Sequence, residues 1–405
     1  MRVAEPENKC FMFVSFGARH KGCRSRKMLK SVHMLWMVAL AISVVSPNLS
    51  NAQDEHSQGS GAVFVMTNAA DRNEVISFKR AADGSLQENR RFATGGRGSG
   101  GNNDPLESQG SLTLSQDHTL LFAVNAGSGE ISVFRVHGAD LSLADKKLSG
   151  GSEPNAVTQN GHLVYVLNTG GSSSVAGFQV NDNGTLHPIP NSLSFLSTNT
   201  SGAASLALSP NGQVLLVTER LTNNIDAFAV HSDGTLSPIV INPSAGPGLF
   251  SVAFAPNGIA LAVETGPAGG QNASAISSYA VASNGTLTPI STSVPTLGAA
   301  SCWNAVTPNG EWVYTSNAGT STISGFTIAT NGALTALPGT ILGTNPAGAT
   351  NLDIAIGADG KFLYSLDGKI GTISTFGIQP DGTLLNLGTV DGLPENVGFN
   401  GIAAI

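Results

Sequence analysis

"HSDGTLSPI", residues 231–239, sets an Asp-Gly pair between two apolar stretches. That arrangement is the strongest short-range signal of a β-hairpin, and it predicts a tight turn whose two central residues take positive φ. Close copies follow the same plan: "AADGSLQ" ending at Gln87, "NDNGTLHPI" at Ile189, "ASNGTLTPI" at Ile290, "ATNGALTAL" at Leu337 and "QPDGTLLNL" at Leu387, with a degenerate "HGADLSL" near Asp140. An aromatic stands upstream of each: Phe78, Phe134, Phe178, Phe228, Tyr279, Phe326 and Phe376. The intervals of 56, 44, 50, 51, 47 and 50 residues define one repeated unit of about fifty, a period that belongs to repeat architectures.

A second turn recurs within the units. It reads "SPNGQVLLV" from Ser209, "APNGIALAV" from Ala255, "TPNGEWVYT" from Thr307, "GADGKFLYS" from Gly357, "TQNGHLVYV" from Thr158 and, more weakly, "SQDHTLLFAV" from Ser115. Two turns per unit separate four short strands, and almost no segment carries a helical period. Four antiparallel strands per repeat make a propeller blade, so the fold class is all-β, a seven-bladed β-propeller. The first pair, "VFVMTN" and "EVISF", lacks an innermost strand, whereas the closing "GFNGIAAI" resembles one without its partners. Pairing of the N- and C-terminal segments in one blade would close the ring and hide its open edges. Residues 53–405 are expected to form this single domain, and the 49 glycines suit its many tight turns.

Residues 1–52 read differently. Lys21, Arg24, Arg26, Lys27 and Lys30 precede an apolar run from Met34 to Val45, and Ser50-Asn51-Ala52 forms a small-residue cleavage site. This is the pattern of a secretory signal peptide, with Met28 an alternative start that would make the preceding residues an extension. The run is too short to span a bilayer, so no stable membrane insertion is expected after cleavage, and the destination is periplasmic or extracellular. The leader holds 8 of the 20 basic and 2 of the 27 acidic residues, leaving 12 against 25, a net charge of about −13. That balance argues against nucleic acid as a partner. Cys10 and Cys23 leave with the leader, so Cys302 has no intramolecular partner for a disulfide.

Units of the form "PNG…VYV.N…I..F…DG.L" resemble the seven-bladed propeller lactonase family, which includes bacterial 6-phosphogluconolactonases and fungal carboxymuconate cyclases. The resemblance covers nearly all of residues 53–405 and implies lactone hydrolysis on the same scaffold. The segment "VTERLTNNIDAF" from Val217 is similar to the family's "NEL" segment, whose glutamate lies near the active site, and so implies a role for Glu219. The family's histidine-bearing crossovers have no equivalent: the corresponding stretches read "SEPNAV" from Ser152, "SGAASL" from Ser201, "GPGLFSV" from Gly246 and "ASCWNAV" from Ala300.

The repeat also sorts the faces. The two short turns of every unit share one face, here called lower. The turns between second and third strands and the crossovers between blades share the other. Long connections, "TGGRGSGGNNDPLESQG" from Thr94 and "ETGPAGGQNASAIS" from Glu264, belong to this upper face, where a site is expected. His118, His162, His137, His187 and His231 fall on the lower face, and His56 precedes the first strand.

At the upper ends of the second strands stand Asn68, Asn125, Asn168, Glu219, Glu264, Asn317 and Asp367. The Asn and Asp residues are expected to cap their own turns; Glu219 and Glu264 break the pattern. Glu219 is the candidate for activating water, with Arg220 or an Asn stabilising an oxyanion. Arg97, Glu264, Trp303 and Asn304 are candidates for binding a lactone or carbohydrate. Glu219, Glu264 and Asp367 offer hard oxygen ligands of the kind calcium takes; no other cofactor is implied. Each candidate also has a plain reading: solvated carboxylates, a glycine-rich loop around Arg97, a packed Trp303 and a small buried thiol at Cys302. Three functions fit these residues: a hydrolase, a non-catalytic propeller binding a carbohydrate or protein, and a cell-surface structural module.

Overall fold

The structure is a computed structural model describing residues 61–268 and 270–405; the leader expected at 1–52 lies outside them. Seven antiparallel sheets form, six with four strands in radial order and one, blade 3, with five because its outer edge is split into Leu186–Pro188 and Ser194–Phe195. Blade 1 joins Ile402–Ala404 to Ala62–Met66, Glu74–Arg80 and Leu86–Ala93. The remaining blades follow in chain order, with innermost strands Leu112–Leu114, Ser152–Asn160, Ala203–Leu208, Leu249–Phe254, Ser301–Val306 and Asn351–Ile356. Innermost strands pack on one another in a closed cycle, so the ring has no open end. No described helix is long and apolar enough to cross a membrane.

Closure occurs as the repeat register requires. Val63, Phe64 and Val65 pair with Ala404, Ala403 and Ile402, and Ile405 N–H donates to the Ala62 carbonyl at 2.9 Å. On the lower rim Arg80 reaches Asp359 of blade 7 at 2.8 Å and lies 5.2 Å over the Phe362 ring, tying the first blade to the last.

Second and third strands supply the core, because both of their faces meet neighbouring blades. All seven recurring aromatics, Phe78 through Phe376, are at most 1% exposed. The Asp-Gly hairpins differ from expectation in type. Gly234 N–H donates to the His231 carbonyl at 2.9 Å and His231 N–H to the Thr235 carbonyl at 2.9 Å; only Gly234 takes positive φ, at 82°. This is a type I turn closed by a left-handed glycine, the three-residue hairpin. Asp233 keeps ordinary φ because its carboxylate accepts Thr235 N–H at 2.9 Å, a local bond that favours the type I form. Tyr165 of blade 3 donates to the Gly234 carbonyl at 2.8 Å, so the turn also locks adjacent blades.

Candidate functional site

The ring at the upper ends of the second strands proves to be a set of clamps. Some of them bond side chains of their own turns, but most also hold the crossovers that lead into their blades. Asn125 Oδ1 accepts from Thr94 Oγ1 at 2.6 Å, Asn168 Oδ1 from Ser149 Oγ at 2.6 Å and Asp367 Oδ1 from Asn345 Nδ2 at 2.7 Å. A buried crossover backbone needs partners, and one polar residue per blade provides them.

Glu219 and Glu264 perform the same task. Glu219 has no exposed surface and accepts from Ser197 N–H at 3.0 Å, Ser197 Oγ at 2.5 Å and Thr222 Oγ1 at 2.5 Å. Burial and the adjoining Glu219 push the neighbouring Asp226 carboxyl well above the usual range. Glu264, equally buried, accepts from Gly246 N–H at 2.9 Å, Ser277 Oγ at 2.7 Å and Ser293 Oγ at 2.7 Å. A base that must activate water needs access that Glu219 lacks, and Glu264 presents nothing to a ligand. Nor do the three carboxylates fit calcium: Glu219, Glu264 and Asp367 stand in three blades with their oxygens taken by N–H and O–H donors. Among the described residues no group of three or more His, Cys, Asp or Glu could hold a metal ion.

Other candidates are also redistributed. Trp303 is 1% exposed, packs edge-on to Phe250 with centroids 5.3 Å apart and donates from Nε1 to the Ser108 carbonyl at 2.9 Å, so it supports the centre without flooring a pocket. Asn304 is buried and uses its backbone N–H and carbonyl on Gln109, at 3.2 and 2.7 Å. Arg97 is exposed on the rim, in a cleft of about 490 Å³ shared with Arg72 and Lys146, which does not include Arg220. Burial pushes the Cys302 thiol above its ordinary range, the opposite of what a nucleophile needs.

Arg220 leads to the centre. Its guanidinium sits 5.6 Å from the Phe250 ring centroid and forms an ion pair with Glu107, at side-chain exposures of 26% and 59%. Glu107 belongs to the long crossover from blade 1 to blade 2, whose residues 104–110 form a strap across the axis. Five blades hold it. Asp104 Oδ1 accepts from Asn400 at 2.8 Å; Ser108 Oγ donates to the Asn155 carbonyl at 2.8 Å; Gln109 N–H donates to the Ala204 carbonyl at 2.9 Å. Gln109 Nε2 donates to Asp353 at 3.2 Å and to the Asn304 carbonyl already named. The inner edge of an innermost strand has backbone groups without a strand partner, and Gln109 satisfies two blades' edges at once.

Burial dominates the electrostatics here. It pushes Asp104 up to about 8, with Glu107 adding and Arg220 opposing, and Asp353 up to about 7. Six buried polar atoms around the upper axis have no protein partner: Arg220 Nε, Asn155 Oδ1, Ser201 Oγ, Ser251 Oγ, Asn304 Oδ1 and Asn351 Oδ1. Such groups concentrate where solvent or a ligand completes a site.

Below Gln109 the channel continues as a cavity of about 690 Å³ lined by Thr113, Thr158, Leu208, Phe254 and Ile356, with His118 at its mouth. No Asp, Glu, Lys or Arg lines it. His118 is the one histidine in its lining, and the carboxylates and guanidinium named above lie outside it. Asp104, Glu107, Gln109, Asp353 and Asn400 were not singled out from the sequence, although the length of the crossover was the available signal.

Comparison with known proteins agrees with the geometry. The pattern described as "Lactonase, 7-bladed beta-propeller" matches residues 58–302. Similar solved structures include a provisionally named 6-phosphogluconolactonase of Bacteroides uniformis, at 19% identity and TM-score 0.66, covering 86% of this chain and 100% of that one. The periplasmic gluconolactonase of Pseudomonas aeruginosa is similar at 18% identity and TM-score 0.63, covering 85% of this chain and 99% of the other. A Lactobacillus plantarum protein is similar at 18% identity and TM-score 0.64, covering 85% and 98%. No curated protein matches the chain. These identities speak to fold alone, but the pattern takes in more than half the residues and runs from the first blade to the start of the sixth: the chain belongs to the seven-bladed β-propeller lactonase family.

Proposed function

We propose that this protein hydrolyses a small lactone at the upper mouth of its channel. The observation that carries the reading is Arg220, held over Phe250 at the axis with part of its side chain exposed on a scaffold of the lactonase family. Attack of water on a lactone carbonyl places negative charge on one oxygen. A guanidinium fixed beside that oxygen stabilises the charge as it forms, and such groups typically contribute about 10²–10³ in rate. Glu219 then acts at one remove, holding Ser197 and Thr222 on either side of the strand end that presents Arg220.

Export belongs to the same proposal. The basic segment, apolar run and small-residue cleavage site of residues 1–52 support it, and the similar Pseudomonas protein is named periplasmic. The test uses the mature chain on δ-gluconolactone, γ-butyrolactone and larger lactones, read by acid release. Hydrolysis that falls about 10²-fold in Arg220→Met, with the fold intact, is expected. A wild type inert on every lactone, or an undiminished Arg220→Met, would overturn the proposal. A non-catalytic binding propeller would show the first of these.

A further inference from the structure

We infer that the upper face carries a second binding site, a small polar pocket between blades 2 and 3 that takes the ammonium head of an aliphatic amine. The pocket has a volume of about 310 Å³, at the small end of the ~300–1,000 Å³ usual for ligand sites. Four polar side chains line it, Ser99, Glu153, Asn155 and Thr169, and Pro105 and Leu106 of the strap supply an apolar wall. No Lys, Arg or His does. The next strap residue, Glu107, faces Arg220, so the two sites share the strap.

Each donor atom among those four side chains is already bonded to a carbonyl. Ser99 Oγ donates to Gly100 at 3.2 Å, Thr169 Oγ1 to Glu153 at 3.0 Å and Asn155 Nδ2 to Ala203 at 2.9 Å. What remain are acceptors. Asn155 is 2% exposed, and its Oδ1 is enclosed without a protein partner. The Glu153 side chain is exposed and joins no ion pair among the described residues. Its stem is seated against Gly170, where a Cβ would stand 3.0 Å from Glu153 Cγ. A hydroxyl brings a lone pair as well as a proton and would find no donor side chain here, whereas an ammonium brings three N–H donors, a positive charge and no lone pair. A buried acceptor without a donor is costly, and a cation beside an unpaired carboxylate makes the stronger, charge-assisted bonds. The lining therefore selects an amine over a sugar, and Pro105 and Leu106 cover its methylene stem.

The experiment titrates pentylamine, protonated at neutral pH, into the mature chain by calorimetry, with pentan-1-ol and glucitol as uncharged counterparts. Expected are binding of the amine alone and an affinity that falls as salt is raised. Glu153→Gln removes the charge from an exposed side chain that pairs with no other, and is expected to weaken binding about 10-fold or more, as loss of a charge-assisted bond does. Asn155→Ala is expected to do the same, with a thermal melt to confirm its fold. Glu311→Gln, which removes an equal charge from a lower-face turn, is expected to leave the affinity unchanged. No binding of pentylamine at millimolar concentration, equal binding of pentan-1-ol or glucitol, or full affinity in Glu153→Gln would overturn the site. Binding is read without a reaction, so its failure is distinct from a failure of lactone hydrolysis.

Discussion

Glu219 fills in blade 4 the position that Asn125 and Asn168 fill in blades 2 and 3. Its longer side chain reaches a crossover hydroxyl and amide that a shorter residue would not. Its carboxylate also shares blade 4 with Asp226, where blade 2 places Ser132 against Asn125. Replacing Glu219 with Gln exchanges one acceptor oxygen for an amide in a site of three donors, and a buried donor left without a partner costs about 1–3 kcal/mol. Glu219→Gln is therefore expected to lose about 1–3 kcal/mol in urea unfolding while changing kcat far less than Arg220→Met does. A stable variant with abolished turnover would return Glu219 to the chemistry.

Blade 1 is the element on which the ring depends, since its strands come from both ends of the described chain. Three strand residues on each side and the pair between Arg80 and Asp359 hold that joint. The Arg80 side chain is 7% exposed and that of Asp359 31%, so losing the cation leaves a partly solvated carboxylate. Arg80→Met keeps the apolar stem over Phe362 and removes only the charge. It is expected to cost about 1–3 kcal/mol, seen as a lower urea midpoint with an unchanged slope. A midpoint equal to wild type would show that strand pairing alone carries the closure. The pairing was legible in the sequence, because a missing inner strand at one end and a spare at the other are local patterns. The ion pair was not, since its members are 279 residues apart.

At the scale of the whole molecule, buried acids set the pH dependence of stability. Burial raises Asp104, Asp353 and Asp367 to about 8, 7 and 6, and Asp226 moves the same way. A raised carboxyl binds its proton more tightly in the folded chain, so its contribution is complete below the unfolded value near 4 and is lost as pH rises through the folded one. Exposed turn acids such as Asp233 and Asp381 shift down and act in the opposite sense, losing their contribution on acidification. Melting temperature is thus expected to peak on the acid side of neutrality and to fall from pH 6 to pH 9, with a shallower fall in Asp226→Asn. A melting temperature that rises across that interval would contradict the assignment.

The repeat by itself determined the blade count, the register, the closing blade and the lower-face position of the five histidines among the described residues. Each of these follows from turn chemistry and alternating burial within about fifty residues, which act wherever the pattern occurs. Only the tertiary structure decided the candidate site. Glu107 meets Arg220 across 113 residues, Ser108 meets Trp303 across 195, Gln109 meets Asp353 across 244 and Asp104 meets Asn400 across 296. Closing the ring brings seven strand ends to one axis, and a crossover long enough to span that axis gathers side chains that no local pattern relates. The same closure buried the two glutamates that stood out in the sequence and exposed a third, Glu107, that did not.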